Sequence, residues 1–245
     1  MAVCLASLPT CQPAQAADPA PGKPAVEGVP VEVFEQIIRD YLLRNPEVVG
    51  EALKVLERRQ QEAETAQVRH VILARRAELL QDPASPVGGN PEGKTTLVEF
   101  FDYRCPHCRR AVPTVAEAER QDPTLRLVYK ELPILGPASV FAAQAALAAR
   151  AQGKYLAFHR ALMAGEGELS EDRTLEIATA VGLDPERLRR DMAAPAITAI
   201  IERNYALADA LGIRGTPSFV VGEEVIRGAV DLATLKVVIE AARPK

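Results

Sequence analysis

Four residues in a row, Cys105-Pro106-His107-Cys108, carry the clearest chemical signal in this chain. They follow an apolar run, Thr95 to Phe101, and open a segment with helical spacing through Val115 and Ala118. A sulfur at the start of a helix faces unpaired amide N–H groups and the positive end of the helix dipole. That placement favours the thiolate form of Cys105, the nucleophile of disulfide exchange. Pro106 fixes the entry turn, and His107 can add positive charge or a hydrogen bond to the Cys105 sulfur. Stabilising the thiolate favours the reduced pair, which makes its disulfide an oxidant. Cys108, one turn further in, is placed to attack a mixed disulfide on Cys105 and resolve it. Two other readings compete. A close cysteine pair can be half of a zinc site, but the remaining histidines, His70 and His159, are isolated and the other cysteines, Cys4 and Cys11, are N-terminal. A permanent structural bridge closing so small a loop confers little stability.

The elements that must position this pair can be read outward from it. Thr95–Phe101 and Leu125–Lys130 read as strands, with the Arg104-onward helix between them. A helical block follows from about 137 to 211, with Ser170 and Asp184 as N-caps and Gly182 and Gly212 as stops. Ser218–Val221 and Glu224–Arg227 form a hairpin across Gly222-Glu223, and a last helix starts at Asp231. The order strand–helix–strand, helical insert, hairpin, helix predicts an α/β chain: a thioredoxin-like fold with an inserted helical domain, spanning 95–245.

Within that plan two more elements gain a chemical reading. Gly215-Thr216-Pro217 would be a cis-proline loop facing the cysteines, where the Thr216 backbone can pair with an extended substrate; otherwise Pro217 merely opens a strand. Glu99 interrupts an apolar strand. It either points outward at an edge or is a half-buried acid with a raised pKa that accepts the Cys108 proton. Lys130, ending the neighbouring strand, is a candidate partner for it.

Ahead of the catalytic domain, Phe34, Ile37, Ile38, Tyr41 and Leu42 recur at helical spacing, and Asn45-Pro46-Glu47 starts a second helix free of breakers to Leu80. A helix of about 35 residues would be roughly 50 Å long, more than a small domain covers. Its apolar stripe (Val49, Leu53, Leu56) gives way to a polar stretch, Arg58 to Gln67. Residues 31–80 are therefore expected to be a helical oligomerisation extension, with helix packed on the domain as the other reading. A Pro-, Gly- and Ser-rich linker, 81–94, should separate it from the domain.

Bulk properties narrow the context. The 245 residues are 48% hydrophobic and 25% charged, with net charge −4, which gives no reason to expect nucleic acid as a partner. Residues 1–17 read as a signal peptide ending in Ala14-Gln15-Ala16-Ala17, and 18–30 as a disordered lead-in. Pro9 and Thr10 before Cys11 argue against a lipoprotein anchor. The exported chain would keep Cys105 and Cys108 alone, in an oxidising compartment that in a bacterium is the periplasm. No cofactor is expected, and no metal at the site.

The run Glu99-Phe100-Phe101-Asp102-Tyr103-Arg104-Cys105-Pro106-His107-Cys108, with Gly215-Thr216-Pro217 far downstream and the helical insert between, resembles the DsbA family over Thr95 to the C-terminus. Phe34 to Leu56, including Asp40-Tyr41-Leu42-Leu43-Arg44-Asn45-Pro46-Glu47, is similar to the extension of the suppressor-of-copper-sensitivity C (ScsC) and Com1-like branch. The resemblance implies thiol:disulfide interchange on unfolded or misfolded secreted proteins, with a membrane redox partner. The extension implies homo-oligomers, often trimers, and disulfide isomerase activity. A monomeric dithiol oxidase is the competing reading. A Cu(I)-binding module is a third, since two thiolates suit Cu(I), although three Met and three His offer it no rich tract.

Overall fold

The computed structural model describes residues 29–244. The expected signal peptide and nearly all of the lead-in lie outside the described residues. The chain divides into two compact units, 1–58 and 59–245.

In the first unit, helix α1 (Val31–Arg44) buries none of its residues. Asn45 ends it: its backbone N–H and its side-chain Nδ2 both donate to the Tyr41 carbonyl, each at 2.9 Å. Helix α2 (Glu47–Ala74) then begins just after Pro46, whose missing N–H is tolerated at a helix start. Phe34, Ile37, Ile38 and Tyr41 on α1 and Val49, Leu53 and Leu56 on α2 are all exposed among the described residues.

The second unit is built on a five-stranded sheet in the order β1-β3-β2-β4-β5. The strands are β1 (Val87–Gly89), β2 (Thr95–Phe101), β3 (Leu125–Glu131), β4 (Ser218–Val221) and β5 (Glu224–Arg227). Central β2 runs parallel to β3, with Glu99 opposite Tyr129 and Phe101 opposite Glu131, and antiparallel to β4. Its connection to β3 is α4 (Pro106–Gln121). Between β3 and β4 comes the helical insert: α5 (Pro137–Ala148), α6 (Tyr155–Ala164), α7 (Glu171–Ala180), α8 (Pro185–Met192) and α9 (Pro195–Ala210). Helix α10 (Leu232–Ala241) closes the chain, with the Asp231 carboxylate accepting from the Thr234 N–H at 2.8 Å. The thioredoxin-like plan with its inserted helical domain, preceded by helix, is the fold the chain adopts.

Side chains alternate across β2, and the two faces serve different cores. Leu97 and Phe101 join Leu127, Tyr129, α4, α10 and the insert in the larger cluster, which includes both Cys105 and Cys108. Val98 and Phe100 join Val128, Leu132, Leu207, Leu211 and Val220 in the second. Ile72 of α2 and Leu79 of α3 (Arg76–Leu80) belong to that second core, at 3% and 0% exposure.

This changes the expected partition at three points. The extension was expected to reach residue 80, yet 59–80 are part of the catalytic unit because Ile72 and Leu79 roof the sheet's second face. The helix expected to run unbroken to Leu80 breaks at Arg75, which leaves helical geometry (φ −106°, ψ 22°) while its guanidinium binds Glu78 and the Ala206 carbonyl. The stretch expected as linker contains edge strand β1, antiparallel to β3. Gly89 ends β1 at φ +62°, and a Cβ there would lie 2.4 Å from the Leu125 carbonyl oxygen.

Candidate active site

Cys105 is the N-cap residue of α4, and Pro106 occupies the first helical position. Asp102 shapes the turn before it. The Asp102 backbone carbonyl accepts from the Cys105 N–H at 3.1 Å, and its buried carboxylate accepts from the Arg104 and Leu135 N–H groups and the Ser139 hydroxyl. Both cysteines are free thiols, Cys105 5% exposed and Cys108 fully buried. Burial pushes the Cys108 thiol well above its ordinary range.

Across from them, the Thr216–Pro217 peptide is cis. The Cys105 thiol donates to the Thr216 carbonyl at 3.2 Å, so the loop before β4 and the start of α4 meet at this sulfur. Pro217 is buried and its carbonyl accepts from the Gly228 N–H, which ties the loop to the far end of the hairpin.

Glu99 does not point outward at an edge. It lies on central β2, 6% exposed, on the same face as Leu97 and Phe101 and therefore toward the core that holds the cysteines. Burial raises its carboxyl to about 8. Lys130 is not its partner. Lys130 is in register with Phe100, one residue over, so it faces the opposite side of the sheet. There its ammonium donates to the Glu78 carbonyl and the Ser85 hydroxyl, both at 2.7 Å, with Asp82 at 3.5 Å.

His107 is exposed between the two cysteines, and its Nδ1 accepts a hydrogen bond from the Arg110 guanidinium at 2.8 Å. Arg109, next to Cys108, donates to the Tyr103 and Gly167 carbonyls.

Sequence reasoning missed a buried polar group beside the site. Glu131 Oε1 accepts from the Tyr103 hydroxyl at 2.9 Å and the Tyr155 hydroxyl at 2.8 Å, and the Tyr103 oxygen lies 3.1 Å from His159 Nδ1. Burial drives Glu131 well above the carboxylate range and His159 down to about 3. Burial thus disfavours the charged forms of both, and Tyr103 and His159 pack edge-on to Phe101. An acid ending each apolar strand, Asp102 after β2 and Glu131 on β3, was the available signal; the tyrosine and histidine partners lie up to 56 residues apart.

Comparison with known proteins agrees with this geometry. Residues 96–240 match the DSBA-like thioredoxin domain, and residues 32–63 match the copper resistance protein ScsC N-terminal domain. The structure of a thioredoxin-like oxidoreductase from Silicibacter pomeroyi is 54% identical, over 68% of this chain and 96% of that one, with a TM-score of 0.67. Salmonella enterica Typhimurium BcfH is 32% identical over 87% of this chain and 96% of its own, with a TM-score of 0.74. The chain belongs to the DsbA-like thioredoxin family of thiol–disulfide oxidoreductases, and it carries an N-terminal segment of the ScsC type. Among curated sequences it is 31% identical over 170 residues to a Na(+)/H(+) antiporter NhaA of Herminiimonas arsenicoxydans. That stretch is 67% of this chain and 27% of the antiporter, so the chain spans about a quarter of the length of the curated relatives it matches. Among the described residues no helix is long and apolar enough to cross a membrane.

Proposed function

We propose that this protein is an exported, periplasmic enzyme that exchanges disulfides in unfolded or misfolded secreted proteins through Cys105 and Cys108, and that it works as an oligomeric isomerase. One observation carries the exchange reading: the Cys105 sulfur sits at the N-terminus of α4, 3.2 Å from the carbonyl that precedes cis-Pro217. A client chain laid along the backbone of Thr216 would bring its own sulfur to the same point.

In the isomerase direction the Cys105 thiolate attacks one sulfur of a client disulfide. The client S–S bond breaks, its other sulfur leaves as a thiolate, and a mixed disulfide remains. A second client thiolate can then attack the mixed disulfide, which forms a new client pair and returns Cys105. Alternatively Cys108 gives up its proton and attacks Cys105, releasing a reduced client and an oxidised Cys105–Cys108 pair. Glu99 is the acceptor proposed for that proton, because it lies on the side of β2 that faces the core holding Cys108 and burial makes its carboxylate a stronger base than one in water.

The test is a pair of single substitutions followed in an insulin-reduction assay and by trapping of mixed disulfides. Cys105→Ser should abolish exchange, and Cys108→Ser should accumulate client adducts on Cys105. Turnover by the Cys105→Ser protein, or adducts forming on Cys108 instead, would overturn the assignment of roles.

A further inference from the structure

The chain as a whole is acidic, with 33 Asp and Glu against 29 Lys and Arg, yet the rim of its reactive sulfur has the opposite sign. From 103 to 116 there is no Asp or Glu, and from 210 to 222 there is none either. Those two stretches hold Arg104, Arg109, Arg110 and Arg214.

The four guanidiniums are not equivalent. Arg104 is neutralised by Glu168 at 3.1 Å and also donates to the Leu135 carbonyl. Arg109 binds two carbonyl oxygens and no carboxylate. Arg110 is exposed and its described contact is the imidazole of His107, between the cysteines. Arg214 is exposed and has no hydrogen-bond or ion-pair partner among the described residues. It lies two residues before Thr216, and two residues reach about 7 Å at most, so it stands close to the Cys105 contact. The acids of the adjoining loop are Glu166 and Glu168, and Glu168 is already engaged. Among the described residues, then, Arg109, Arg110 and Arg214 have no carboxylate partner. A client threaded along the Thr216 backbone onto Cys105 would pass near both the loop that carries Arg214 and the helix start that carries Arg110.

We propose that Arg109, Arg110 and Arg214 make this site select client segments that carry acidic residues beside the reacting cysteine. The proposal rests on the disulfide-exchange reading above. Opposite charge at the rim raises the rate of productive encounter, and salt screens it.

The experiment uses oxidised full-length protein and three matched dithiol peptides whose cysteines are flanked by Asp, Asn or Lys, in single-turnover stopped flow. In each run a peptide thiolate attacks Cys105, the Cys105–Cys108 bond breaks and Cys108 leaves. The second peptide thiolate then displaces Cys105, so two electrons pass from peptide to protein and no further oxidant is needed. Rates are divided by those of the same peptides with bis(2-hydroxyethyl) disulfide, a neutral reagent, which removes the effect of flanking charge on thiol reactivity. The Asp peptide should react about tenfold faster than the Lys peptide at low salt. The gap should close to within about twofold near 0.5 M salt, where the screening length is only a few ångströms. Arg110→Ala with Arg214→Ala should bring the ratio toward one, whereas Arg120→Ala, at the far end of α4, should leave the ratio unchanged. Equal corrected rates, a Lys preference, or a salt-independent ratio would overturn the proposal, as would full discrimination in the double variant. If the double variant does not fold, the salt dependence of the parent decides. Failure to oxidise any of the three peptides would instead overturn the exchange reading itself.

Discussion

Cys108 and Glu99 share one side of the sheet, and each is held away from its charged form by the same dry surroundings. Burial makes the Glu99 carboxylate a stronger base than a carboxylate in water, while it also makes the Cys108 thiol harder to deprotonate. Glu99→Gln keeps the shape and removes the acceptor, so decay of the Cys105 mixed disulfide should slow by about a hundredfold, a common size for a general-base contribution. An unchanged decay rate in rapid-quench trapping would remove Glu99 from the mechanism. The same residue makes a second, thermodynamic prediction. Its folded pKa, about 8, is above the unfolded value near 4.5, so the folded state binds more protons across that window. Stability should therefore fall as pH rises from about 5 to 8, by on the order of a few kcal/mol from this group. Glu131 pushes in the same direction. Denaturant midpoints measured across that range should fall less steeply for Glu99→Gln than for the parent, and equal slopes would mean that the buried acid is not titrating there.

At the scale of elements, the short helix α3 and the end of α2 decide where the catalytic unit begins. Leu79 is fully buried among Val98, Phe100, Val128 and Leu211, and the carbonyl of Glu78 accepts from the buried Lys130 ammonium. Cutting the chain at Gln81 would strip Ile72 and Leu79 from the second core and leave Lys130 short of one of its three acceptors. A chain of residues 59–245 should melt close to the parent, whereas one starting at Gln81 should melt far lower or not fold. Leu79→Ala alone should cost about 2–5 kcal/mol, the range for a leucine deleted from a packed core. Thermal unfolding by circular dichroism checks both. A Gln81 start that melts with the parent would show that the second core closes without α3.

For the whole molecule the question is whether several catalytic units act together. The exposed apolar side chains Phe34, Ile37, Ile38, Tyr41, Val49, Leu53 and Leu56 and the match of residues 32–63 to an ScsC N-terminal domain both support association through the first unit. An isomerase has to keep hold of a wrongly paired client between exchanges, and several active sites on one assembly raise the local thiol concentration around it. Ile37→Asp with Leu53→Asp in the full chain should yield monomers by light scattering. Those monomers should keep dithiol oxidation of a reduced peptide and lose most, several-fold or more, of the reactivation of scrambled ribonuclease. A parent that is already monomeric, or monomers that isomerise as well as the parent, would leave a simple dithiol oxidase.

The sequence by itself determined what is set by local pattern: the strand before Cys105, the helix that starts on it, the insert between β3 and β4, and the hairpin after Pro217. Each is encoded in spacing, caps and turn residues a few positions apart, which is the range over which backbone preferences act. The cysteine pair was legible for the same reason, since its chemistry needs only a strand, a turn and a helix start. What only the tertiary structure decided are the matters of which face and which neighbour. Lys130 and Glu99 look like partners on adjacent strands, but a one-residue offset puts them on opposite sides of the sheet. The break at Arg75 has no glycine or proline to announce it, and one partner of the Arg75 guanidinium there is the carbonyl of Ala206, 131 residues away. The extension's end at residue 58 rather than 80 was hidden likewise, since the pattern of Val68, Val71, Ile72 and Leu79 says that a face is apolar and leaves open which surface covers it. In the fold that surface is the second side of the catalytic sheet.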